Sequence, residues 1–237
     1  MIVIPMAGLS SRFFKAGYTL PKYMLDLDGK TVFEWSVSSF YQHFKTDHFL
    51  FIIFDHFETK SFVEREVLKM GIENYSIVTL TEHTKGQADT VYQGIKNLKK
   101  DDDLYIFNID SRLNKFEKLK ENKQVDGYLE VFKGEGDHWS FILPGKNGEV
   151  LKTTEKVRIS EFCSNGLYYF KSALEFSKKV KLALDVFDGS EIYIAPLYND
   201  YIEEKKCIKY KEVSLSDIEF CGTPQEYINT LNRIRRA

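Results

Sequence analysis

Cysteine is scarce in this chain and is placed where it supports little chemistry. Three cysteines occur in 237 residues. Cys163, Cys207 and Cys221 lie too far apart for the short spacings of a zinc site. An odd number of scattered cysteines also gives no disulfide framework. We therefore expect free thiols and a reducing, cytoplasmic location.

Long apolar runs and an excess of either charge are also missing. The longest apolar runs, such as residues 49–54, have the length of a strand, far short of the roughly 20 residues of a membrane-spanning helix. The chain opens directly into an apolar strand, so we expect no signal peptide. The 33 basic and 35 acidic side chains leave a net charge of −2, which gives no nucleic-acid footprint. Neither a membrane nor a nucleic acid is expected as partner.

The chain does have abundant material for a hydrophobic core. Hydrophobic residues make up 43% and aromatic residues 15% of it, which excludes disorder. Its length suits one large α/β domain, with or without a small lobe. Aromatic residues in this number can also be buried between two copies, so we expect a homodimer.

The most informative stretch is an apolar run that opens into a small-residue loop. Residues 2–6 are apolar, the loop carries Arg12, and Pro21-Lys22 follows ten residues after Arg12. A buried strand that feeds such a loop brings backbone N–H groups close to an anion. Arg12 and Lys22 add two positive charges beside it. The pattern predicts a triphosphate site, with a solvated basic loop as the plain alternative.

Apolar runs alternate with amphipathic stretches through the first half, which is typical of βαβ units and a mostly parallel sheet. Thr31 and Glu34 form a capping box that begins a helix running to about Phe44. The other elements are predicted strands at 2–6, 48–54, 75–80 and 104–109, and helices at 58–70 and 87–98. The acidic run 101–103 precedes a strand, so we interpret it as a turn. Ligands of open α/β sheets bind beyond the carboxyl ends instead.

The pattern changes after about residue 125. Strands are predicted at 126–132, 140–143, 149–154 and 163–170, with a hairpin turn at 144–148. The last helix begins at Thr223-Pro224, with Thr as N-cap and Pro at the first helical position. Without a linker or a repeat, we expect one domain over 1–237. Its nucleotide-binding half is 1–124 and its acceptor-binding half 125–237.

The loop resembles the signature of the nucleotidylyltransferase family, A-G-x-G-[ST]-R followed by P-K. The matching residues are Ala7, Gly8, Ser10, Ser11, Arg12, Pro21 and Lys22. Ser10 stands where the family has its second glycine, and serine lacks the freedom of glycine at positive φ. The dinucleotide fingerprint G-x-G-x-x-G fails here, because only Gly8 is in place. The resemblance implies a Rossmann-like, mostly parallel sheet flanked by helices, of the nucleotide-diphospho-sugar transferase type, with added antiparallel strands.

Two further segments resemble the nucleotide and metal motifs of this family. Residues 84–91 resemble its T-x-G-x-A motif, which implies that Gly86, Gln87 and Ala88 contact the base. Residues 108–110 resemble the strand end that carries its aspartate, which implies that Asp110 binds Mg²⁺. A helix cap and a turn are the plain alternatives for these two segments.

The acceptor and the second metal ligand are implied less completely. Glu155, Lys156, Asn165 and Gly166 match the acceptor-binding region, and Glu191 is a further candidate. Residues 222–224 resemble the D-x-G-T-P motif, but Phe220 stands where the family has its second metal-binding aspartate. Asp217 and Glu219 are the substitutes that we consider for a second metal ligand, with Glu191 as another possibility.

The resemblance implies nucleotidyl transfer with release of pyrophosphate, Mg²⁺ as cofactor, Arg12 on the β- and γ-phosphates and Lys22 on the α-phosphate. A compact site at Gln87 suits a pyrimidine, with a purine as the alternative, and the resemblance favours CTP. The acceptor is a phosphorylated small molecule, with L-glutamine phosphate favoured, in the modification of capsule or surface polysaccharide. A sugar-1-phosphate nucleotidylyltransferase, a glycosyltransferase and a non-catalytic nucleotide sensor are the alternatives.

Overall fold

The computed structural model describes residues 1–119, 125–189 and 191–236. Its strands are β1 Ile2–Pro5, β2 Phe49–Phe54, β3 Tyr75–Leu80, β4 Leu104–Phe107, β5 Ser111–Leu113, β6 Gly127–Lys133, β7 Ser140–Pro144, β8 Val150–Glu155, β9 Phe162–Phe170, β10 Ile208–Glu212 and β11 Ile218–Phe220. Its α-helices are α1 Ser11–Lys15, α2 Val32–Val37, α3 Thr59–Met70, α4 Gln87–Ile95, α5 Ala173–Asp185, α6 Tyr198–Glu203 and α7 Pro224–Ile234. Short 3₁₀ helices lie at Lys22–Met24, Ser38–His43, Lys146–Gly148, Ala195–Leu197 and Leu215–Asp217.

The chain divides into two compact units, and each is assembled from three segments. The first unit comprises Met1–Val3, His83–Phe107 and Lys118–Leu215. The second unit comprises Ile4–Glu82, Asn108–Glu117 and Ser216–Ala237. Both units therefore draw on residues before and after 125. The division into halves at 1–124 and 125–237 stays a prediction.

The first unit contains both parallel and antiparallel strand pairs. Its strands follow the order β10-β6-β9-β4-β1. β1 pairs in parallel with β4, and β10 with β6, whereas β9 runs antiparallel to both β4 and β6. β7 and β8 form an antiparallel hairpin, and β7 also pairs with β9. The predicted antiparallel additions are thus confirmed.

The second unit is built on parallel strands covered by helices. β2 and β3 pair in parallel from Phe49↔Tyr75 to Phe54↔Leu80. Residues 49–53 are all buried, as expected for a strand covered on both faces. Phe33 of α2 contacts both Phe51 of β2 and Phe62 of α3. β5 and β11 form a separate antiparallel pair.

Several local sequence signals are confirmed. The Thr31 hydroxyl accepts a hydrogen bond from the Glu34 N–H at 3.1 Å and caps α2, whereas the Glu34 carboxylate pairs with Lys69 at 2.7 Å, so only the Thr31 half of the predicted capping box is confirmed. Gly71 has φ of +73° and ends α3, as a C-terminal glycine does. Thr223 and Glu226 form a complete capping box at the start of α7. The turn after Pro144 joins the antiparallel strands β7 and β8.

The acidic run before β4 has structural partners. Asp101 accepts hydrogen bonds from the Ser172 hydroxyl at 2.7 Å and the Leu174 N–H at 3.1 Å. Asp102 and Asp103 lie 3.6 and 3.2 Å from the Met1 ammonium. These contacts agree with the interpretation of this run as a turn.

Other boundaries differ from the predictions. The helix predicted from Thr31 to about Phe44 ends at Val37, and a 3₁₀ helix with a non-helical Phe40 follows. The hydroxyls of Ser38 and Ser39 each donate to the carbonyl three residues before them at 2.6 Å. Such bonds compete with the α-helical pattern. The predictions for 87–98 and 104–109 also ran too far, since α4 ends at Ile95 and β4 at Phe107.

None of the helices in the described ranges combines the length and the apolar character that crossing a membrane requires.

Candidate active site

The small-residue loop after β1 has a left-handed backbone at position 10. The resembled signature has a glycine at this position, and this chain has Ser10. Ser10 has φ of 51° and ψ of 28°, in the left-handed region, where glycine is favoured. Its carbonyl accepts the Phe13 N–H at 2.9 Å and begins α1. A side chain at Gly8 would meet no protein atom within 4 Å. The loop therefore leaves open space over Gly8 for a ligand to approach the backbone.

Buried aromatic residues hold α1 in place behind this loop. Phe13 is buried and contacts Tyr18 and Tyr227 edge to face, with ring centroids 5.3 and 6.2 Å apart. Ser11 and Arg12 are exposed on the other side of the short helix. The Arg12 guanidinium is thus available to an anion at the loop.

Lys22 and Asp110 meet in the second unit beside the loop. The Lys22 N–H donates to the Ser10 hydroxyl oxygen at 3.1 Å. The Lys22 ammonium is in direct contact with Oδ2 of Asp110. The two side chains are only 21% and 17% exposed. The structure therefore brings together three predicted site residues, Ser10 and Lys22 of the first signature and Asp110 of a separate motif.

Gly222 keeps a space open next to Asp110. A side chain at this position would begin 3.1 Å from Oδ2 of Asp110 and 3.5 Å from Oε2 of Glu226. The Cys221 N–H donates to the Asp110 carbonyl at 2.7 Å and holds the two segments together. Glu226 accepts the Thr223 N–H at 2.8 Å as part of the α7 capping box. Two carboxylates therefore border the space that glycine leaves, and the sequence patterns did not single out Glu226.

Phe220 stands where the resembled motif has its second aspartate, and its side chain has no oxygen to offer a metal ion. Phe220 pairs with Ser111, the neighbour of Asp110. Asp217 lies at the opposite end of the β5–β11 pair, where its carbonyl accepts the Asn114 N–H at 2.9 Å. The structure therefore does not bring Asp217 to Asp110.

The Glu219 carboxylate is fully engaged elsewhere. Oε2 accepts from Trp35 Nε1 at 3.1 Å and lies 3.4 Å from Nη1 of Arg112. Oε1 lies 2.6 Å from Nη2 of Arg233. Glu219 is buried on β11 among these partners. Within the part of the chain that the structure describes, no group of three or more His, Cys, Asp or Glu residues could hold a metal ion.

In the first unit, the predicted base loop packs closely against residues 191 and 192. Gly86 has φ of +120°, and a side chain there would begin 2.5 Å from the Ile192 carbonyl oxygen and 2.6 Å from Cγ of Glu191. The Ile192 N–H donates to the Lys85 carbonyl at 2.6 Å, and the Ala88 N–H donates to the Ile192 carbonyl at 3.1 Å. The chain itself thus uses the space above Gly86. The Ala88 side chain is buried.

A polar cluster in the same unit contains the predicted acceptor residues Glu155 and Lys156. The Ser140 hydroxyl donates to Glu155 and lies 3.3 Å from the Tyr168 hydroxyl. Burial raises the pKa of Glu155, although Ser140 and Lys156 act in the opposite direction. The neutral carboxyl form is therefore favoured more than in water.

Lys156 and Glu191 meet at Tyr193 in this cluster. The Lys156 ammonium donates to the Tyr193 hydroxyl at 2.5 Å, and this bond raises the pKa of Lys156. Burial and a hydrogen bond with Glu191 raise the pKa of Tyr193. Lys156 has φ of 55°, a conformation that residues with a side chain hold only where the surroundings impose it. Tyr193 belongs to this cluster, and the motif spacing did not single it out.

Asn165 and Gly166 are both buried on β9. The Asn165 side chain is buried, donates to Glu130 at 3.2 Å and accepts the Leu167 N–H at 3.0 Å. Glu130 is itself buried and lies 3.2 Å from the Lys211 ammonium. Gly166 has φ of +90°, close to a register shift between β6 and β9. Both polar ends of the Asn165 amide are thus used within the protein.

Comparison with known proteins gives matches among solved structures. No model of a known protein family matches the chain, and no curated protein matches it. A nucleoside-diphosphate-sugar pyrophosphorylase from Vibrio cholerae RC9 is 41% identical, with a TM-score of 0.93 over 98% of this chain and 100% of that chain.

Two more distant structures share the fold. The inositol-1-phosphate CTP transferase from T. maritima is 13% identical, with a TM-score of 0.77 over 100% of this chain and 96% of that one. The CTP:phosphocholine cytidylyltransferase from Streptococcus pneumoniae is 15% identical, with a TM-score of 0.73 over 98% and 97% of the two chains.

Proposed function

Because the chain belongs to the family of nucleoside-diphosphate-sugar pyrophosphorylases and related nucleotidyltransferases, we propose that it transfers a nucleoside monophosphate from an NTP to a phosphorylated small molecule. CTP is the favoured nucleotide and L-glutamine phosphate the favoured acceptor, for the modification of capsule or surface polysaccharide. One observation carries the proposal. A lysine and an aspartate from separate motifs meet beside an open small-residue loop.

In the proposed reaction, a phosphate oxygen of the acceptor attacks the α-phosphorus of the nucleotide. The bond from the α-phosphorus to the bridging oxygen breaks, and pyrophosphate leaves with the electron pair. The acceptor is already an anionic nucleophile, so no protein nucleophile is required. The work of the protein is to position two polyanions and to stabilise the charge on the transferring group.

Arg12 and Lys22 supply the positive charge for this task. Arg12 is exposed at the loop, and a guanidinium binds phosphate oxygens in a two-pronged geometry. We assign it to the β- and γ-phosphates. The Lys22 ammonium is held at Asp110. We assign it to the α-phosphate and the incoming acceptor phosphate, the groups between which charge is redistributed.

The residues around Asp110 fit a magnesium ion. Mg²⁺ takes carboxylate oxygens together with substrate phosphates, and Gly222 leaves space beside both Asp110 and Glu226. Asp110 would hold the ion, with Glu226 as the other carboxylate bordering this space. When bound, the ion would neutralise the triphosphate and fix its geometry.

The cluster of Glu155, Lys156, Glu191 and Tyr193 supports a polar acceptor. An ammonium held by a tyrosine hydroxyl suits an acceptor phosphate. The carboxylates of Glu155 and Glu191 suit an ammonium or hydroxyl groups. An amino-acid phosphate offers an ammonium, and a sugar phosphate offers hydroxyls. A sugar 1-phosphate is therefore the second candidate. The 41% identity with a nucleoside-diphosphate-sugar pyrophosphorylase supports it.

Pyrophosphate release tests the proposal directly. The protein is assayed with Mg²⁺ and each ribonucleoside triphosphate against L-glutamine phosphate, glucose 1-phosphate and phosphocholine. Release only with CTP and L-glutamine phosphate is expected. Release with glucose 1-phosphate selects the second candidate. No release with any pair, while nucleotide binding is retained, contradicts both named acceptors and favours a different acceptor or a nucleotide sensor.

A further inference from the structure

Ser10 occupies a helix N-cap but does not act as one. A serine at this position usually accepts an N–H from the first turn with its hydroxyl. Here the Ser10 side chain makes no capping bond, and the Phe13 and Phe14 N–H groups bond to its carbonyl instead, at 2.9 and 3.2 Å. The hydroxyl of Ser10 therefore does not cap α1.

The hydroxyl oxygen accepts the Lys22 N–H at 3.1 Å instead. This bond joins the small-residue loop to a segment twelve residues further along the chain. Glycine would adopt φ of 51° more readily than serine. Any advantage of serine here must therefore come from its hydroxyl, and the contact of that hydroxyl is with Lys22.

Lys22 is consequently held at both of its ends. Its backbone N–H is bound by Ser10, and its ammonium is in contact with Asp110. The next turn is closed by the Met24 N–H to the Pro21 carbonyl at 2.9 Å. A small movement of this backbone would displace the ammonium from the phosphates, and such displacements are costly in phosphate transfer.

We propose that Ser10 is a positioning residue for the reaction. Its hydroxyl sets the Lys22 backbone at a fixed distance from the small-residue loop. This inference rests on the proposed function, since it concerns where the Lys22 ammonium meets the nucleotide. The competing interpretation is that Ser10 is only a small residue that lets the nucleotide approach, as glycine would.

Two substitutions separate the interpretations. Ser10→Gly and Ser10→Ala both remove the hydroxyl, but only glycine relieves the left-handed backbone. We expect kcat to fall about 3- to 10-fold in both, the loss of roughly one neutral hydrogen bond in the transition state. The KM for the nucleotide is expected to change less than kcat. Thermal stability is expected to rise in Ser10→Gly relative to Ser10→Ala, so activity and stability separate.

A matched control replaces a residue of similar backbone elsewhere. Lys205 has φ of 60° and follows α6, outside the residues assigned to substrates. Lys205→Gly is expected to gain stability and to keep the wild-type kcat. Wild-type kcat in Ser10→Gly would overturn the proposal, because that result is expected if Ser10 is only a small residue that lets the nucleotide approach.

Amide hydrogen exchange separates failure of this inference from failure of the proposed function. The Lys22 N–H is expected to exchange more slowly in the wild type than in Ser10→Gly. Equal exchange rates overturn the inference, whatever the activity. A wild type that releases no pyrophosphate with any substrate pair overturns the proposed function. The exchange rates then still decide whether Ser10 holds Lys22.

Discussion

At the scale of single residues, the charge of Lys22 is the feature of the candidate site that we expect to matter most for catalysis. Its ammonium meets Asp110 in a partly buried position, where a charge interacts more strongly than in water. Arginine could not reproduce this compact contact, because its charge is spread over a planar group.

Replacing Lys22 is expected to remove catalysis and leave the fold intact. Lys22→Ala should lower kcat about 100-fold or more, as losses of transition-state charge stabilisation do, with little change in the circular dichroism spectrum. Lys30→Ala is the control, since Lys30 is exposed in the same unit. A Lys22→Ala enzyme with near-normal pyrophosphate release would remove Lys22 from the mechanism.

We expect Glu155 to contribute to acceptor binding and to lower the free energy of unfolding when it is ionised. Its pKa is raised by burial above the ordinary value of 4.5. A carboxyl group of this kind contributes stability below its unfolded pKa and loses that contribution as the pH rises through its folded pKa. Glu155→Gln should therefore be more stable than the wild type at pH 8, with the difference shrinking towards pH 4. Its KM for the acceptor should rise.

Denaturant unfolding at several pH values measures this effect. Glu161 is an exposed carboxylate of the same unit, paired with Lys133 at 2.7 Å. Glu161→Gln should change the free energy of unfolding by less than about 1 kcal/mol. A Glu155→Gln protein less stable than the wild type at pH 8 would contradict the argument from burial.

At the scale of secondary-structure elements, Glu219 ties several pieces of the second unit together. It lies on β11 and contacts Trp35 of α2, Arg112 of β5 and Arg233 of α7. β5 and β11 are each only three residues long, so their own hydrogen bonds stabilise them little.

Removal of the Glu219 charge should weaken this junction. Glu219→Gln is expected to lower the free energy of unfolding by about 1 to 3 kcal/mol, measured with denaturant. The dependence of activity on Mg²⁺ concentration should stay unchanged. Arg235→Ala is the control, because its pair with Asp28 is exposed and is worth about 1 kcal/mol or less. A shifted Mg²⁺ dependence in Glu219→Gln would support the metal-ligand role instead.

The elements that could be predicted from sequence are those whose signals are local. Strand β3 and the capped starts of α2 and α7 follow from residue patterns alone. β5 and β11 were not anticipated, because each exists by pairing with the other across about a hundred residues. Helix α5 was missed although its buried residues recur at helical spacing.

The same distinction applies to the candidate site. Lys22 and Asp110 could be named from motifs, and the structure brings them together. The surroundings of Glu219 could not be named, because its partners come from three other elements. Glu226 was not singled out because its sequence signal is that of a helix cap, and its position beside Gly222 appears only in three dimensions.

At the scale of the whole molecule, neither compact unit is continuous in sequence. The first unit places β9 between β4 and β6. The second unit packs Tyr18 of its first segment against Tyr227 of its last, with ring centroids 5.7 Å apart. Each unit therefore needs residues from both sides of position 124.

Cutting the chain at position 124 should leave neither part folded. The fragments 1–124 and 125–237 are each expected to show a disordered circular dichroism spectrum and no cooperative thermal transition, because each lacks strands or helices of both cores. The intact chain is the control. A fragment 1–124 that unfolds cooperatively would support the predicted division into a nucleotide-binding and an acceptor-binding half.

The close packing at Gly86 restricts how this protein can change during evolution. Any side chain at position 86 would displace Glu191 and Ile192, although Glu191 belongs to the proposed acceptor cluster and Gly86 to the base loop. The two segments are also joined by backbone hydrogen bonds on either side of this contact. Under the proposed function, substitutions at residues 191–193 that change the acceptor must therefore remain compatible with glycine at 86. Selection on the proposed acceptor cluster would then also constrain the sequence of the proposed base loop.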